Sequence, residues 1–492
     1  MSKPVVHINN LTLEIAGKKL FNNLNWSIQK GENWLLYGPS GIGKTLLMKI
    51  IHEHHKQVDT ISINFNESLP HKKQVLYVAN WYEFTNSDGD RNFYYQQRYD
   101  SSYYSDTPSL SADLSYFAQK HELDLQSAKD LAEQLDLLKL WDSRLIELSS
   151  GEQKKLQLLK AFWLKPPLLI LDQPYNGLDV AAREKINALI NRYIDQGVQF
   201  ILVQNGFPSP QKVSNYASIE NGQLVVKQEI EPYQARVNQL PTRALPEFLT
   251  QEPEDTPQVM VRIHEASIRY GEKLVLDRVS WEVKAHQRWL LQGANGSGKS
   301  TLLSLLNADH PQAYKHDIIL FDQQRGSGES IWDIKRKIGM VSPELHWYFR
   351  VDQPVSYVVA SGLFDSIGLY QNLPYSGRLK VQQVMEFFDL MKDKDRLLSE
   401  LPLGRQRIAL LARTVIKNPL LLILDEPCQG LDQEQTDQFN DFVDRLAPYK
   451  KTIIYVGHQE SKLPKSFTHK LVLEGGKVKI NEEIKTLQHI TI

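Results

Sequence analysis

The stretch GPSGIGKT, Gly38 to Thr45, returns as GANGSGKS, Gly293 to Ser300, after 255 residues (293 − 38). Both copies fit the pattern GxxxxGK[ST], both follow an apolar run (NWLLYG and RWLLQG), and both precede another (LLMKII and TLLSLL). A strand, a glycine-rich turn and a helix in this order direct backbone N–H groups toward an anion. The two stretches therefore predict two phosphate-binding loops, one in each half of the chain.

Other short stretches repeat at nearly the same distance. LILDQPYNGLD, Leu169 to Asp179, returns as LILDEPCQGLD, Leu422 to Asp432, after 253 residues (422 − 169), and FILVQN returns as IIYVGH at the same offset. Several unrelated patterns in one register indicate a duplicated domain. We expect domain 1 at residues 1–227, a proline-rich linker at 228–257 and domain 2 at 258–492.

The order of elements is the same in both halves: a β-rich start, the glycine-rich loop, a mostly helical middle region and an apolar strand that ends in Asp172 or Asp425. Strands that are apolar on both faces belong in a parallel sheet covered by helices. We therefore predict an α/β fold of two tandem P-loop nucleotide-binding domains, each with a helical subdomain. The lysines, Lys44 and Lys299, should reach nucleotide phosphates.

Composition excludes several classes. With 41% hydrophobic and 23% charged residues the chain is ordinary for a globular protein, and its net charge of -1 makes nucleic acid an unexpected partner. The single cysteine, Cys428, cannot form an internal disulfide and is expected to be a packing residue. Neither a signal peptide nor a membrane span is expected, so we predict a cytoplasmic protein, peripheral at the inner face of the cell membrane if a permease subunit binds it.

Two helix starts carry a family resemblance. LSSGEQKKLQLLKAFW begins at Leu148, its counterpart LPLGRQRIALLARTVI begins at Leu401, and GLD follows each apolar strand. With the phosphate loops, these stretches resemble the ATP-binding cassette (ABC) family over both halves. The resemblance implies an ATPase that converts ATP and water to ADP and phosphate with Mg²⁺. It also implies a monomer whose two cassettes form an internal pseudo-dimer, with ATP between the phosphate loop of one and the signature of the other.

The site formed by the second phosphate loop and the first signature matches the family completely. The resemblance assigns Glu426 to polarise the attacking water, His458 to contact the γ-phosphate and Tyr270 to stack on adenine.

For the two sites together, the resemblance assigns metal ligation to Thr45, Asp172, Ser300 and Asp425. The remaining ATP-binding positions are Gly38, Pro39, Ser40, Gly41, Ile42, Gly43, Lys44 and Thr45 in the first loop, Gly293, Ala294, Asn295, Gly296, Ser297, Gly298, Lys299, Ser300 and Thr301 in the second, and Ser149, Ser150, Gly151 and Glu152 in the signature.

The other composite site departs from the family. Gln173 replaces the glutamate, Asn205 the histidine and Pro402 the signature serine, and Ile15 lies near the expected adenine aromatic. Glutamine cannot accept a proton, and loss of a general base typically costs about 10²–10⁴-fold in rate. Because these changes lie on different halves and converge on one site, we expect that site to bind ATP and to hydrolyse it poorly.

Two further regions bear on partners. The family's coupling glutamine has no clear match: Asn80 lies near its position in the first half, and Pro343 or Glu344 in the second. The tyrosine-rich stretch RNFYYQQRYDSSYYSD, residues 91–106, is either a polar loop or a docking surface for another chain.

The second half also resembles a narrower group. DHPQAYKHDIILFDQQRGSGESIWDIKRKIGMVS, from Asp309, and SGLFDSIGLYQ, from Ser361, resemble the ModF type of duplicated ATP-binding proteins associated with molybdate transport and also called photorepair proteins. The resemblance implies that the chain energises or regulates molybdate-type import. The alternatives are a ribosome-acting ABC-F-like factor, the ATPase of a dual-cassette sugar importer and a regulatory ATP sensor.

Overall fold

The computed structural model describes residues 4–15, 18–53, 61–63, 74–80, 107–204, 209–229, 243–252, 255–270, 273–307, 310–349, 352–457 and 463–484. The chain divides into two compact units, with the main boundary between residues 237 and 238. Asn205, His458 and residues 91–106, which carry three of the expectations above, lie outside the described residues.

The first unit alternates strands and helices. Its strands are β1 (Val6–Ile15), β2 (Lys18–Ile28), β3 (Trp34–Tyr37), β4 (Ile61–Ile63), β5 (Val75–Val78), β6 (Leu168–Asp172), β7 (Gln199–Val203), β8 (Asn215–Glu220) and β9 (Gln223–Lys227). Its helices are α1 (Lys44–Glu53), α2 (Leu110–His121), α3 (Leu125–Gln134), α4 (Ser150–Leu164) and α5 (Val180–Asp195), with 3₁₀ turns at Leu138–Leu140 and Leu145–Glu147.

The main sheet of this unit has the order β5-β6-β7-β3-β8-β9, parallel except for the antiparallel edge pair β8–β9. Strands β3, β6 and β7 are buried along their whole length. Helices α2–α5 cover one part of the core, and β1, β2 and α1 cover another. A smaller antiparallel sheet, β2-β1-β4, holds the β-rich start.

The second unit repeats this plan. Its strands are β10 (Val259–Tyr270), β11 (Lys273–Lys284), β12 (Arg288–Gly293), β13 (Asp317–Leu320), β14 (Gln323–Gln324), β15 (Ile338–Val341), β16 (Leu421–Asp425), β17 (Thr452–Val456), β18 (His469–Glu474) and β19 (Lys477–Glu483). Its helices are α6 (Glu247–Thr250), α7 (Lys299–Leu306), α8 (Ile331–Lys337), α9 (Pro343–Tyr348), α10 (Val355–Ala360), α11 (Tyr375–Phe387), α12 (Leu403–Val415) and α13 (Gln433–Arg445).

The main sheet of the second unit has the order β15-β16-β17-β12-β18-β19, again parallel up to its antiparallel edge strand. A smaller antiparallel sheet has the order β11-β10-β13-β14. The predicted α/β fold with two mostly parallel sheets is confirmed. In an open parallel sheet, ligands bind beyond the carboxyl ends of the strands, which is where both phosphate loops lie.

The described end of the predicted linker packs within the second unit. The Arg243 guanidinium contacts the Glu386 carbonyl and lies 3.3 Å from Asp389 Oδ1. Gln251, eight residues after Arg243, accepts a hydrogen bond at its carbonyl oxygen from Lys451 Nζ at 2.8 Å. Among the described residues this stretch forms a single four-residue helix, α6, as its proline content leads one to expect.

Candidate functional site

The first phosphate loop joins β3 to α1 and closes around its own lysine. Lys44 Nζ donates to the carbonyl oxygens of Gly38 and Pro39, both at 2.7 Å. Burial lowers the pKa of Lys44 to about 8, although nearby Asp172 opposes the shift. A buried ammonium inside a curled loop at a helix N-terminus is a site for phosphate oxygens.

The second phosphate loop, between β12 and α7, has the same geometry. Lys299 Nζ donates to Gly293 O at 2.8 Å and to Ala294 O at 3.1 Å. Gly293 has φ 153°, and a Cβ there would lie 2.4 Å from Leu473 O and 2.5 Å from Ser297 Oγ. Any other residue would therefore displace the loop from β18, which explains the glycine.

The predicted metal ligands of the first unit meet at the end of β6. Thr45 Oγ1 donates to Asp172 Oδ2 at 2.7 Å, and Asp172 is only 1% exposed. Within the described part of the chain, Asp172 Oδ1 is buried and has no hydrogen-bond partner. Burial raises the pKa of Asp172, and the hydrogen bonds from Thr45 and Tyr77 oppose that rise. A hydroxyl beside an open carboxylate oxygen suits Mg²⁺ that arrives with nucleotide phosphates.

In the second unit, Ser300 and Asp425 occupy the corresponding places at the start of α7 and the end of β16. Asp425 is 6% exposed. Over the described residues, no group of three or more His, Cys, Asp and Glu side chains is arranged to hold a metal ion.

Gln173 and Glu426 follow these two aspartates and have the same backbone conformation. Their φ angles are 50° and 43°, in the left-handed region that few non-glycine residues adopt. Gln173 N–H donates to Val203 O at 2.8 Å, and Glu426 N–H donates to Val456 O at 3.2 Å. The two positions thus differ in side-chain chemistry and not in backbone geometry.

The signature stretches begin helices in different ways. Ser149 caps α4 in a capping box, in which Glu152 Oε2 accepts from the backbone N–H and the hydroxyl of Ser149, both at 2.8 Å. Ser150 and Gly151 form the first turn of α4. Pro402 stands at the N-cap of α12 without any side-chain hydrogen bond. The first signature therefore has a serine hydroxyl at the N-cap of its helix, where the second has a proline.

Tyr270, the predicted adenine-stacking residue, is held by a histidine that sequence reasoning missed. His310 Nδ1 accepts the Gln312 N–H at 3.2 Å, so in the neutral ring Nε2 carries the proton and donates to Tyr270 Oη at 2.8 Å. His310 is 1% exposed. His310 stands in the stretch quoted from Asp309, but the sequence does not show that it pairs with Tyr270, which lies 40 residues away. Ile15 belongs to β1, and its side chain lies outside the described part.

The region of the expected coupling glutamine is built differently in the two units. In the first, Asn80 O accepts from Lys154 Nζ at 3.1 Å and Asn80 Oδ1 accepts from Asn176 Nδ2 at 2.8 Å. In the second, Pro343 and Glu344 belong to α9, which Ser342 caps. Asn80 thus accepts a hydrogen bond from the signature helix α4, whereas its counterparts in the second unit, Pro343 and Glu344, lie within helix α9.

Two remaining expectations concern Cys428 and membranes. The Cys428 sulfur lies 3.4 Å from Tyr455 Oη, and burial raises the pKa of the thiol to about 11, as suits a packing residue. No helix among the described residues is both long and apolar enough to span a bilayer.

Comparisons with known proteins agree with this geometry. The ABC transporter family model matches residues 21–176 and 276–429. The ABC transporter ATP-binding protein ModF of Escherichia coli (strain K12) is 33% identical over 94% of this chain and 96% of its own length. An uncharacterised ABC transporter ATP-binding protein of Schizosaccharomyces pombe is 26% identical over 97% of this chain and 99% of that protein. An uncharacterised ABC transporter ATP-binding protein of Saccharomyces cerevisiae is 26% identical over 93% of this chain and 94% of that protein.

These relatives span both units, and the family match includes both phosphate loops and both strands that end in aspartate. The predicted family resemblance is confirmed. The chain therefore belongs to the ABC transporter family, as a tandem ATP-binding protein related to ModF.

Proposed function

We propose that the chain is an ATP-hydrolysing subunit with one hydrolytic site and one site that retains ATP. The second phosphate loop and the first signature would form the hydrolytic site; the first loop and the second signature would form the retaining site. One observation carries this proposal: at two positions with the same left-handed backbone, Glu426 has a carboxylate and Gln173 has an amide. Only the carboxylate can accept a proton.

At the hydrolytic site, Glu426 would orient the attacking water and take its proton. Lys299 would bind the β- and γ-phosphates, and Ser300 and Asp425 would hold Mg²⁺, which neutralises phosphate charge when bound. The N-terminus of α4, with Ser149 and Gly151, would donate to the γ-phosphate. By family resemblance, His458 would also contact the γ-phosphate, and Tyr270 would stack on the adenine ring.

At the retaining site, the parts that bind nucleotide are present. Lys44 lies in its curled loop, and Thr45 and Asp172 offer a hydroxyl and an open carboxylate oxygen. Pro402 brings neither a hydroxyl nor an N–H to the opposing signature. This site should bind Mg²⁺ and ATP and should turn the nucleotide over slowly.

The nucleotide that stays on the protein tests this division. Purified protein is incubated with Mg²⁺ and ATP, desalted and extracted, and the bound ATP and ADP are counted per chain. We expect about one retained ATP per chain, since each chain has one such site. Lys44→Ala should remove the retained ATP. Lys299→Ala should abolish ATP turnover but leave the retained ATP in place. Complete conversion of all bound ATP to ADP would contradict the proposal.

For the wider role we propose energising or regulating molybdate-type import, because the named relative ModF covers nearly the full chain. An ABC-F-like factor, a dual-cassette sugar importer ATPase and an ATP sensor remain alternatives. Co-purification from membranes, followed by identification of the bound chain, separates them: a molybdate permease supports molybdate-type import, a sugar permease supports the sugar importer, ribosomes support the ABC-F-like role, and no partner supports a sensor. We place the domains at 1–227 and 258–492 and the chain in the cytoplasm, at the inner membrane face when a permease binds.

A further inference from the structure

The Asp172 carboxylate has a second hydrogen-bond partner, and it belongs to none of the nucleotide-binding motifs. Tyr77 lies in β5, the parallel neighbour of β6, opposite Ile170. Its hydroxyl donates to Asp172 Oδ2 at 2.9 Å, and the same oxygen accepts from Thr45 Oγ1 at 2.7 Å. Two donors therefore converge on one carboxylate oxygen.

This arrangement fixes the orientation of the Asp172 carboxylate and leaves one of its oxygens without a hydrogen bond. Oδ2 is occupied by Thr45 and Tyr77, whereas Oδ1 is buried without a partner in the described part of the chain. Turning the carboxylate away from this orientation would break both hydrogen bonds, which inside a protein is costly. Hydrogen bonds to a ligating carboxylate orient it and tune the metal affinity of the site.

The second unit offers no such donor at the matching position. Met340 lies in β15 opposite Ile423, just as Tyr77 lies opposite Ile170. A thioether cannot donate a hydrogen bond. At this strand position, the unit that carries Gln173 therefore has a hydroxyl donor, whereas the unit that carries Glu426 has a thioether.

We propose that Tyr77 is a positioning residue that holds Asp172 with Oδ1 toward Mg²⁺, so that the first site binds the metal–ATP complex tightly. This inference rests on the proposed retaining site and states how that site keeps its ligand. The gain in affinity should depend on the metal, because Tyr77 donates to the metal-side aspartate and contacts neither of the carbonyl oxygens that hold the phosphate-loop lysine.

The test measures fluorescent MANT-ATP binding to the full chain that carries Lys299→Ala, which leaves the first phosphate loop as the nucleotide site. Titrations run in excess Mg²⁺ and in EDTA. With Tyr77→Phe added, we expect about 10–100-fold weaker affinity in Mg²⁺, the usual loss when a hydrogen bond to a metal ligand is removed. Affinity in EDTA should be unchanged. Electron paramagnetic resonance of Mn²⁺ with ATP gives a second readout, which should show the same loss.

The outcomes separate the alternatives. An unchanged Mg²⁺ dependence of MANT-ATP binding in Tyr77→Phe overturns the inference. An equal loss of affinity in Mg²⁺ and in EDTA also overturns it, because such a loss indicates that Tyr77 acts only by packing. No MANT-ATP binding by Lys299→Ala with Tyr77 intact overturns the retaining site itself. Tyr77→Met, which copies Met340, guards against a folding artefact and should behave like Tyr77→Phe. The matched control carries Met340→Leu together with Lys44→Ala, which leaves the second phosphate loop as the nucleotide site. The Mg²⁺ dependence of MANT-ATP binding at that second site should be unaltered.

Discussion

Gln173 and Glu426 share a strained backbone position but not a chemistry. Both have positive φ, and both donate their N–H to the last residue of the neighbouring strand, Val203 or Val456. Left-handed backbone at a non-glycine residue costs about 1 kcal/mol or more and persists where the surrounding structure holds it. The first unit thus keeps the left-handed turn found at Glu426 around a residue that cannot act as a base.

Replacing the carboxylate should stop hydrolysis. We expect Glu426→Gln to lower steady-state ATPase activity by about 10²–10⁴-fold, because the amide cannot accept the proton of the attacking water. ATP affinity should stay the same, since the phosphate loop is intact. Glu474→Gln makes the same chemical change at an exposed position of the same unit and should retain full activity. Turnover retained in Glu426→Gln would refute the assignment of a single active site.

The reverse change should have little effect. Gln173→Glu, measured in the Glu426→Gln background, places a carboxylate on the same backbone in the first unit. We expect activity to rise only slightly, because Asn205 and Pro402 still stand where the family pattern has a histidine and a serine. A large gain in ATPase rate would show that Gln173 is the one block at that site.

His310 should act on ATP binding through Tyr270. The replacement His310→Leu removes the donor to Tyr270 Oη, and the loss of one hydrogen bond of about 1 kcal/mol corresponds to roughly a fivefold rise in KM for ATP. The value of kcat should be unchanged, because His310 touches no reacting group. Binding of tripolyphosphate, which has no adenine, provides the control and should be unaffected. A fall in kcat at constant KM would contradict this role.

Lys154 should make the stability of the nucleotide-free protein depend on pH. Burial lowers its pKa from 10.5 to about 7 in the folded state. Between pH 7 and pH 9 the unfolded chain therefore binds more protons at this residue than the folded one. The free energy of unfolding should accordingly rise with pH over this range, by at most about 2 kcal/mol from this group.

The contribution of Lys154 is isolated by comparison with Lys154→Met, which has no proton to lose. Thermal unfolding at pH 7 and pH 9 should show the wild type gaining stability relative to this variant as pH rises. Lys139→Met, at an exposed lysine of the same unit, should follow the wild type. If the Lys154→Met and wild-type stabilities ran parallel between the two pH values, the lysine would not be neutral in the folded state.

The sequence alone was enough to predict the duplicated α/β plan, both phosphate loops and the residues that follow the two aspartates. These features are local: a tight loop requires glycines, as at Gly293, and a fully buried parallel strand requires a continuous apolar run. The contrast between Gln173 and Glu426 also needs no structure, because both residues stand in copies of one motif.

Only the tertiary structure decided which distant side chains support the site. Tyr77 reaches Asp172 because β5 lies beside β6, although 95 residues separate them. His310 reaches Tyr270 across 40 residues, and Lys154 reaches the Asn80 carbonyl across 74. Such contacts depend on strand order and on the direction of each side chain from its element, and neither leaves a periodic or compositional signal in the chain.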